Sequence, residues 1–91
     1  MATFVTRVEL HSAGDSDYEK LHTQMDTRGF KRTIEGSNGT KFKLPTATYS
    51  YTGNNTIAAV RDLAREAANA TGKSNWVITT EGPSTWYLNE E

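Results

Sequence analysis

GFKRTIEGSNGTKFKLPTATYSY, residues 29–51, decides how this chain is built. Two runs rich in branched and aromatic residues, Phe30 to Glu35 and Thr40 to Tyr51, flank Asn38-Gly39. That pair favours a tight hairpin, because such turns need positive φ. The two runs are therefore predicted to be antiparallel neighbours. Leu44-Pro45 interrupts the second run. Proline donates no ladder hydrogen bond, so regular pairing should begin near Thr46, or the strand should bulge there.

Upstream, Thr3 to His11 alternates with a period of two: Phe4, Thr6, Val8 and Leu10 point one way, and Val5, Arg7, Glu9 and His11 the other. This is the pattern of a strand with one buried face. Asp15-Ser16-Asp17 then offers a helix cap, with Ser16 and Glu19 at capping-box spacing. Tyr18, Leu21, His22 and Met25 form an apolar stripe, and Gly29 stands where a left-handed terminator is wanted, so a helix is predicted over about 16–28. Downstream, Asn54-Asn55-Thr56 caps a second helix whose inner face is Ile57, Val60, Leu63, Ala64, Ala67 and Ala68, and Gly72 ends it. Asn75 to Glu81 reads as a fourth strand, Gly82-Pro83 as a turn and Thr85 to Leu88 as a short fifth strand at an edge.

The order βαββαβ predicts an α+β fold, the ferredoxin-like split βαβ sandwich. Two helices cover one face of a four-stranded antiparallel sheet, the first and third strands lie centrally, and the other face is open. With 91 residues, the whole of 1–91 is expected to be a single domain. Composition is globular, with 35% hydrophobic and 23% charged residues, which excludes both disorder and a membrane protein. The start, MATFVTRVEL, alternates in polarity and is not a secretory signal, and no run approaches the roughly 18 apolar residues of a membrane span. A cytoplasmic location is expected, with no membrane partner.

No cysteine is present, which removes disulfides, thiol nucleophiles and thiolate metal sites together. The two histidines, His11 and His22, are distant in sequence and lack a helix-spaced carboxylate partner, so neither a metal nor another cofactor is predicted. His22 reads as a core-edge residue bonded to backbone.

The net charge is −1, yet Arg28, Lys31, Arg32, Lys41 and Lys43 fall within sixteen residues that contain one acid, Glu35. Such a local excess suits phosphate binding through counterion release. Phe30, Phe42, Tyr49 and Tyr51 are then available to stack on exposed bases. The plainer reading is a solvated hairpin whose alternating cations protect an edge from aggregation. On the outward face of the first strand, Arg7, Glu9 and His11 would project from mid-sheet. Metal-free RNA cleavage needs a base, an acid and a cation for the crowded phosphorane; His11 or Glu9 fits the first two roles and Arg7 the third. Alternation alone equally yields an ion pair beside a surface histidine. Trp76, Trp86 and Tyr87 suit a contact between two copies in a homodimer, or packing beneath the chain's own loop.

Tyr18-Glu19-Lys20-Leu21-His22 with Met25, Gly29-Phe30-Lys31-Arg32-Thr33-Ile34, Gly39-Thr40 and Leu44-Pro45-Thr46-Ala47-Thr48-Tyr49 resemble the pattern of the GhoS-like family. Those proteins are antitoxins of type V toxin–antitoxin pairs, endoribonucleases that cut the messenger of a membrane toxin, and they share a ferredoxin-like fold with small CRISPR-associated nucleases. The resemblance covers residues 3 to about 80 and rests mainly on hydrophobic and turn positions. The CRISPR-associated relatives carry Asp near the end of the first strand, where this chain has Glu9. The resemblance implies a protein that binds single-stranded RNA and cleaves it without metal, with Arg28, Lys31, Arg32, Lys41 and Lys43 on phosphate and Arg7, Glu9 and His11 at the centre. The alternative is a non-catalytic protein-interaction module using the open sheet face.

Overall fold

The computed structural model describes residues 1–91 as a mixed α+β fold of two helices, a three-stranded sheet and a two-stranded hairpin. The strands of the main sheet are β1 (Ala2–Leu10), β4 (Thr48–Gly53) and β5 (Asn75–Glu81). The hairpin consists of β2 (Thr33–Glu35) and β3 (Lys41–Lys43), and the helices are α1 (Asp15–Thr27) and α2 (Ile57–Asn69). β1 lies between β4 and β5 and runs antiparallel to both, with Val5 opposite Ser50 on one side and Thr80 on the other.

The alternation in β1 sorts its side chains as expected. Phe4, Thr6, Val8 and Leu10 are buried, whereas Thr3, Arg7 and Glu9 are exposed. On the buried side Leu21 and Met25 of α1, Tyr49 of β4, and Val60, Ala64, Ala67 and Ala68 of α2 complete one core with Phe30 and Ala47. Thr6 is a polar member of this layer; its Oγ1 shares a hydrogen bond of 2.8 Å with Thr79 Oγ1, which removes the cost of burying an unpaired hydroxyl.

α1 begins at Asp15, one residue before the expected start, and its cap differs from the expected Ser16–Glu19 box. Gly14 is the N-cap residue, and its N–H donates to Asp17 Oδ2 at 3.0 Å. Asp15 and Asp17 place negative charge in the first turn, favourable to the helix dipole. Gly29 ends the helix at φ +91°. α2 is capped as expected, with Thr56 Oγ1 accepting from the Ala59 N–H at 3.1 Å.

The structure corrects the strand count. The predicted strand Thr40–Tyr51 is two strands, because Pro45 cannot donate and Ala47 takes the left-handed conformation at φ +59°. The chain turns there, so β3 stays with β2 while β4 joins the main sheet. A single antiparallel bridge, Lys31 to Ser50, links the start of the hairpin arm to the free edge of β4, and Ser50 Oγ donates to the Thr33 carbonyl at 2.6 Å. Only β1 is therefore flanked by strands on both sides, in contrast to the two central strands expected.

The predicted strand Thr85–Leu88 is also absent. The tail instead meets β3 slightly later: the Lys43 N–H donates to the Asn89 carbonyl at 2.9 Å and the Glu91 N–H to the Lys41 carbonyl at 3.1 Å. Trp86 packs against Phe42 with ring centroids 5.6 Å apart. The tail thus covers the hairpin edge and leaves Trp76 and Ile78 of the open sheet face 70% and 66% exposed. No helix is long and apolar enough to cross a membrane.

Candidate nucleic-acid interface

The separation of the hairpin from the main sheet opens a cleft of about 460 Å³ along the β4 edge. Lys31, Thr33, Glu35 and Lys41 line the hairpin side, and Thr3, Ser50 and Thr52 the sheet side. A second cleft of about 490 Å³ shares Lys31, Thr33 and Lys41 and adds Arg32, His22 and Asp26 from the α1 side and Glu91 from the tail. Lys31, Arg32 and Lys41 are exposed, and no carboxylate lies within ion-pairing distance of them. Their charge is available to a ligand, although Asp26, Glu35 and Glu91 temper the surrounding field.

The five predicted cations do not act as one patch. Arg28 is engaged at the end of α1: its Nη1 donates to the Gln24 carbonyl at 2.9 Å and to Gln24 Oε1 at 2.8 Å, and its Nε lies 3.8 Å from Glu66 of α2. This satisfies a late helix carbonyl and ties the two helices together. Lys43 faces a separate depression of about 330 Å³ beside Pro45, Tyr87 and Leu88. Lys31, Arg32 and Lys41 remain as the gathered set.

The expected stacking residues are largely unavailable. Phe30 and Tyr49 are each 1% exposed. Tyr51 is half-buried against Phe4 and Phe30, at centroid distances of 6.0 and 5.1 Å. All three point into the helix-covered core. Phe42 is half-buried under Trp86. The exposed aromatic rings are Trp76 and Tyr87.

On the open face, Arg7 and Glu9 share a depression of about 250 Å³ with Trp76 and Ile78. His11 lies beyond the end of β1 and packs edge-on against Trp76, centroids 4.6 Å apart. Its Nε2 is 3.4 Å from Glu9 Oε2, yet the geometry is not that of a hydrogen bond, and Nε2 is enclosed without a partner. Arg7, Glu9 and His11 are therefore neighbours, with the His11 Nε2 turned away from solvent.

His22 departs from its expected backbone bond. Its Nδ1 and Tyr49 Oη share a hydrogen bond of 2.6 Å across 27 positions of sequence, and its ring lines the cleft beside Arg32. Partial burial, and then the Arg32 guanidinium, lower the His22 pKa from its ordinary 6.5, with Glu19 opposing them. Burial raises the Tyr49 phenol above its usual range, so it stays a neutral hydroxyl. The helical stripe of Leu21, His22 and Met25 was legible from spacing, but the partner on β4 was not. No group of three or more His, Asp or Glu residues is arranged to hold a metal ion. Set against protein-family models and against curated proteins, the chain matches none.

Proposed function

We propose that this chain binds single-stranded RNA along the clefts that flank its hairpin, one against the sheet and one against α1, as a GhoS-like protein of ferredoxin-like ancestry. On this reading the hairpin is the outer part of a split βαβ sheet, joined to β4 through the Lys31–Ser50 bridge and the Ser50 hydroxyl on the Thr33 carbonyl. The observation that carries the proposal is the set of three unpaired, exposed cations beside the hairpin: Lys31 and Lys41 line both clefts, and Arg32 lines the one on the α1 side. A groove with free cations on one wall and the hydroxyl groups of Thr3 and Thr52 on the other suits a phosphodiester backbone. With a net charge of −1, binding is local and steeply dependent on salt.

Fluorescence anisotropy with a labelled 20-nucleotide single-stranded RNA, titrated with salt, tests this. Lys31→Ala with Lys41→Ala is expected to weaken binding and to flatten the salt slope by about 1.4, two phosphate contacts at ~0.7 each for a single strand. Affinity and slope equal to those of the unaltered protein would reject the cleft as the site.

The exposed Trp76 and Ile78 beside Arg7 and Glu9 favour a second reading, a protein-interaction module that uses the open sheet face. That reading expects Trp76→Glu to abolish a self-association seen by sedimentation while RNA binding is unaffected. A protein that sediments as a monomer with Trp76 in place does not support self-pairing.

A further inference from the structure

β5 is an edge strand with no strand on its outer side. The Gly82 N–H donates to the Thr3 carbonyl and the His11 N–H to the Ser74 carbonyl, so Trp76, Ile78 and Thr80, in the same register, bond to β1. Asn75, Val77, Thr79 and Glu81 therefore turn their N–H and C=O groups outward, and no backbone bond meets them there. The edges of β4 and β3 are each covered at least in part, β4 by the Lys31 bridge to Ser50 and β3 by Asn89 and Glu91 of the tail. Over its seven residues β5 has no Pro, no Lys and no bulge, the devices that keep an edge from pairing. Its one charge, Glu81, stands at the end.

We propose that two copies of this chain join along β5, antiparallel about a twofold axis at Val77, into one continuous six-stranded sheet. The inference is independent of RNA binding, and it goes beyond the open-face reading because the contact is made by strand edges and not by stacked faces. A ladder forms only where outward-turned residues oppose each other, and the alignment with Val77 opposite itself also matches the side chains. It sets Trp76 of each copy across from Ile78 of the other, at a non-hydrogen-bonded position where side chains approach most closely. Both are exposed in the single chain. The same alignment brings Glu81, which has no ion-pair partner of its own, level with Lys73 of the other copy. Lys73 Nζ is only loosely engaged, 3.9 Å from Asp17.

Sliding the copies by two residues loses both matches. One way, Ile78 meets itself and Trp76 meets Thr80; the other way, Trp76 meets itself and Ile78 meets Ser74. A foreign strand has no reason to supply an apolar pair and an ion pair at these spacings. The twofold axis supplies each of them twice, which makes a second copy the fitting occupant.

Amide exchange of the whole, unaltered chain, followed in dilute and in concentrated protein alongside sedimentation, tests this. In the single chain the Val77 and Thr79 N–H groups face water, whereas those of Trp76 and Ile78 are already bonded to β1. Concentration is expected to produce a dimer and to slow exchange at Val77 and Thr79 by about tenfold once about nine-tenths of the chains are paired. Val77→Cys gives a second readout, because the chain has no cysteine and the Cα atoms of a hydrogen-bonded antiparallel pair stand about 5.5 Å apart, within disulfide reach. Mild oxidation is expected to link Val77→Cys into a covalent dimer much faster than Tyr87→Cys, which is fully exposed on the tail. A dimer whose Val77 and Thr79 amides exchange as fast as in dilute protein overturns the edge pairing and leaves the open-face reading standing. Equal cross-linking of the two cysteine variants overturns the alignment at Val77. A protein that stays monomeric on concentration overturns both this inference and open-face self-pairing, and leaves RNA binding untouched.

Discussion

His22 keeps its ring partly inside the molecule by sharing a hydrogen bond with the buried Tyr49, and stability should register this. Its pKa is lowered in the folded state, so between that value and 6.5 the unfolded chain binds more protons than the folded one. The stability tied to His22 is present above pH 6.5 and is lost as pH falls through the folded value. Urea unfolding across pH 4.5–7 should show His22→Gln with a flatter acid dependence than the parent; parallel curves would count against the assignment. Thr6 offers a sharper case. Thr6→Val leaves Thr79 Oγ1 without its partner and should cost about 1 kcal/mol, whereas adding Thr79→Val should recover much of that loss, because an unmade hydrogen bond costs more than an absent pair of groups. Chemical denaturation of the two variants and the parent checks the ordering. Thr6 belongs to an alternating strand whose buried face was read from spacing alone, whereas His11, expected on the same strand, lies just past its end. The Thr79 partner is 73 positions away, which no local pattern carries.

Among the elements, β1 and both helices were legible because each buries one face against a single layer, and burial imposes a period of two or 3.6 on the sequence. The hairpin was half legible. Asn38-Gly39 fixed its turn, with Gly39 at φ +85°, but whether the break at Leu44-Pro45 bends one strand or divides it depends on what each piece finds to pair with. β3 is too short to stand alone and borrows the tail: its Lys43 N–H and Lys41 carbonyl are satisfied by Asn89 and Glu91. Removing residues 89–91 should therefore speed amide exchange at Lys43 and loosen the hairpin without melting the β4–β1–β5 sheet. Exchange at Lys43 equal to that of the whole chain would show the tail contact to be dispensable. At the helix end, Gly29→Ala should destabilise by about 1 kcal/mol or more, because φ +91° is strained for a residue with a Cβ and that atom would meet Tyr51 at 3.4 Å. Thermal unfolding measures it.

The molecule as a whole is 19 Å across its thinnest direction, the depth of a helix layer laid on one sheet. One side of that sheet is closed by α1 and α2; the other leaves Trp76 and Ile78 in water. Trp76→Glu should leave the unfolding midpoint within a few degrees of the parent, since an exposed side chain away from the core typically changes stability by about 0.5 kcal/mol or less. A large loss in thermal unfolding would mean that the ring is covered in solution. What the amino-acid order determined by itself was the identity of most elements, the buried face of β1, both helix-ending glycines and a concentration of cations near the hairpin, because each follows from local sterics or from a periodic burial pattern. What only the tertiary structure decided was the grouping. It sent Arg28 to Glu66 and set Lys43 apart, turned Phe30, Tyr49 and Tyr51 into the core, and brought His22 of α1 to Tyr49 of β4 beside Arg32. The physical reason is that long-range pairing is fixed by which surfaces exclude water from each other, a property of the packed layers and not of any one segment.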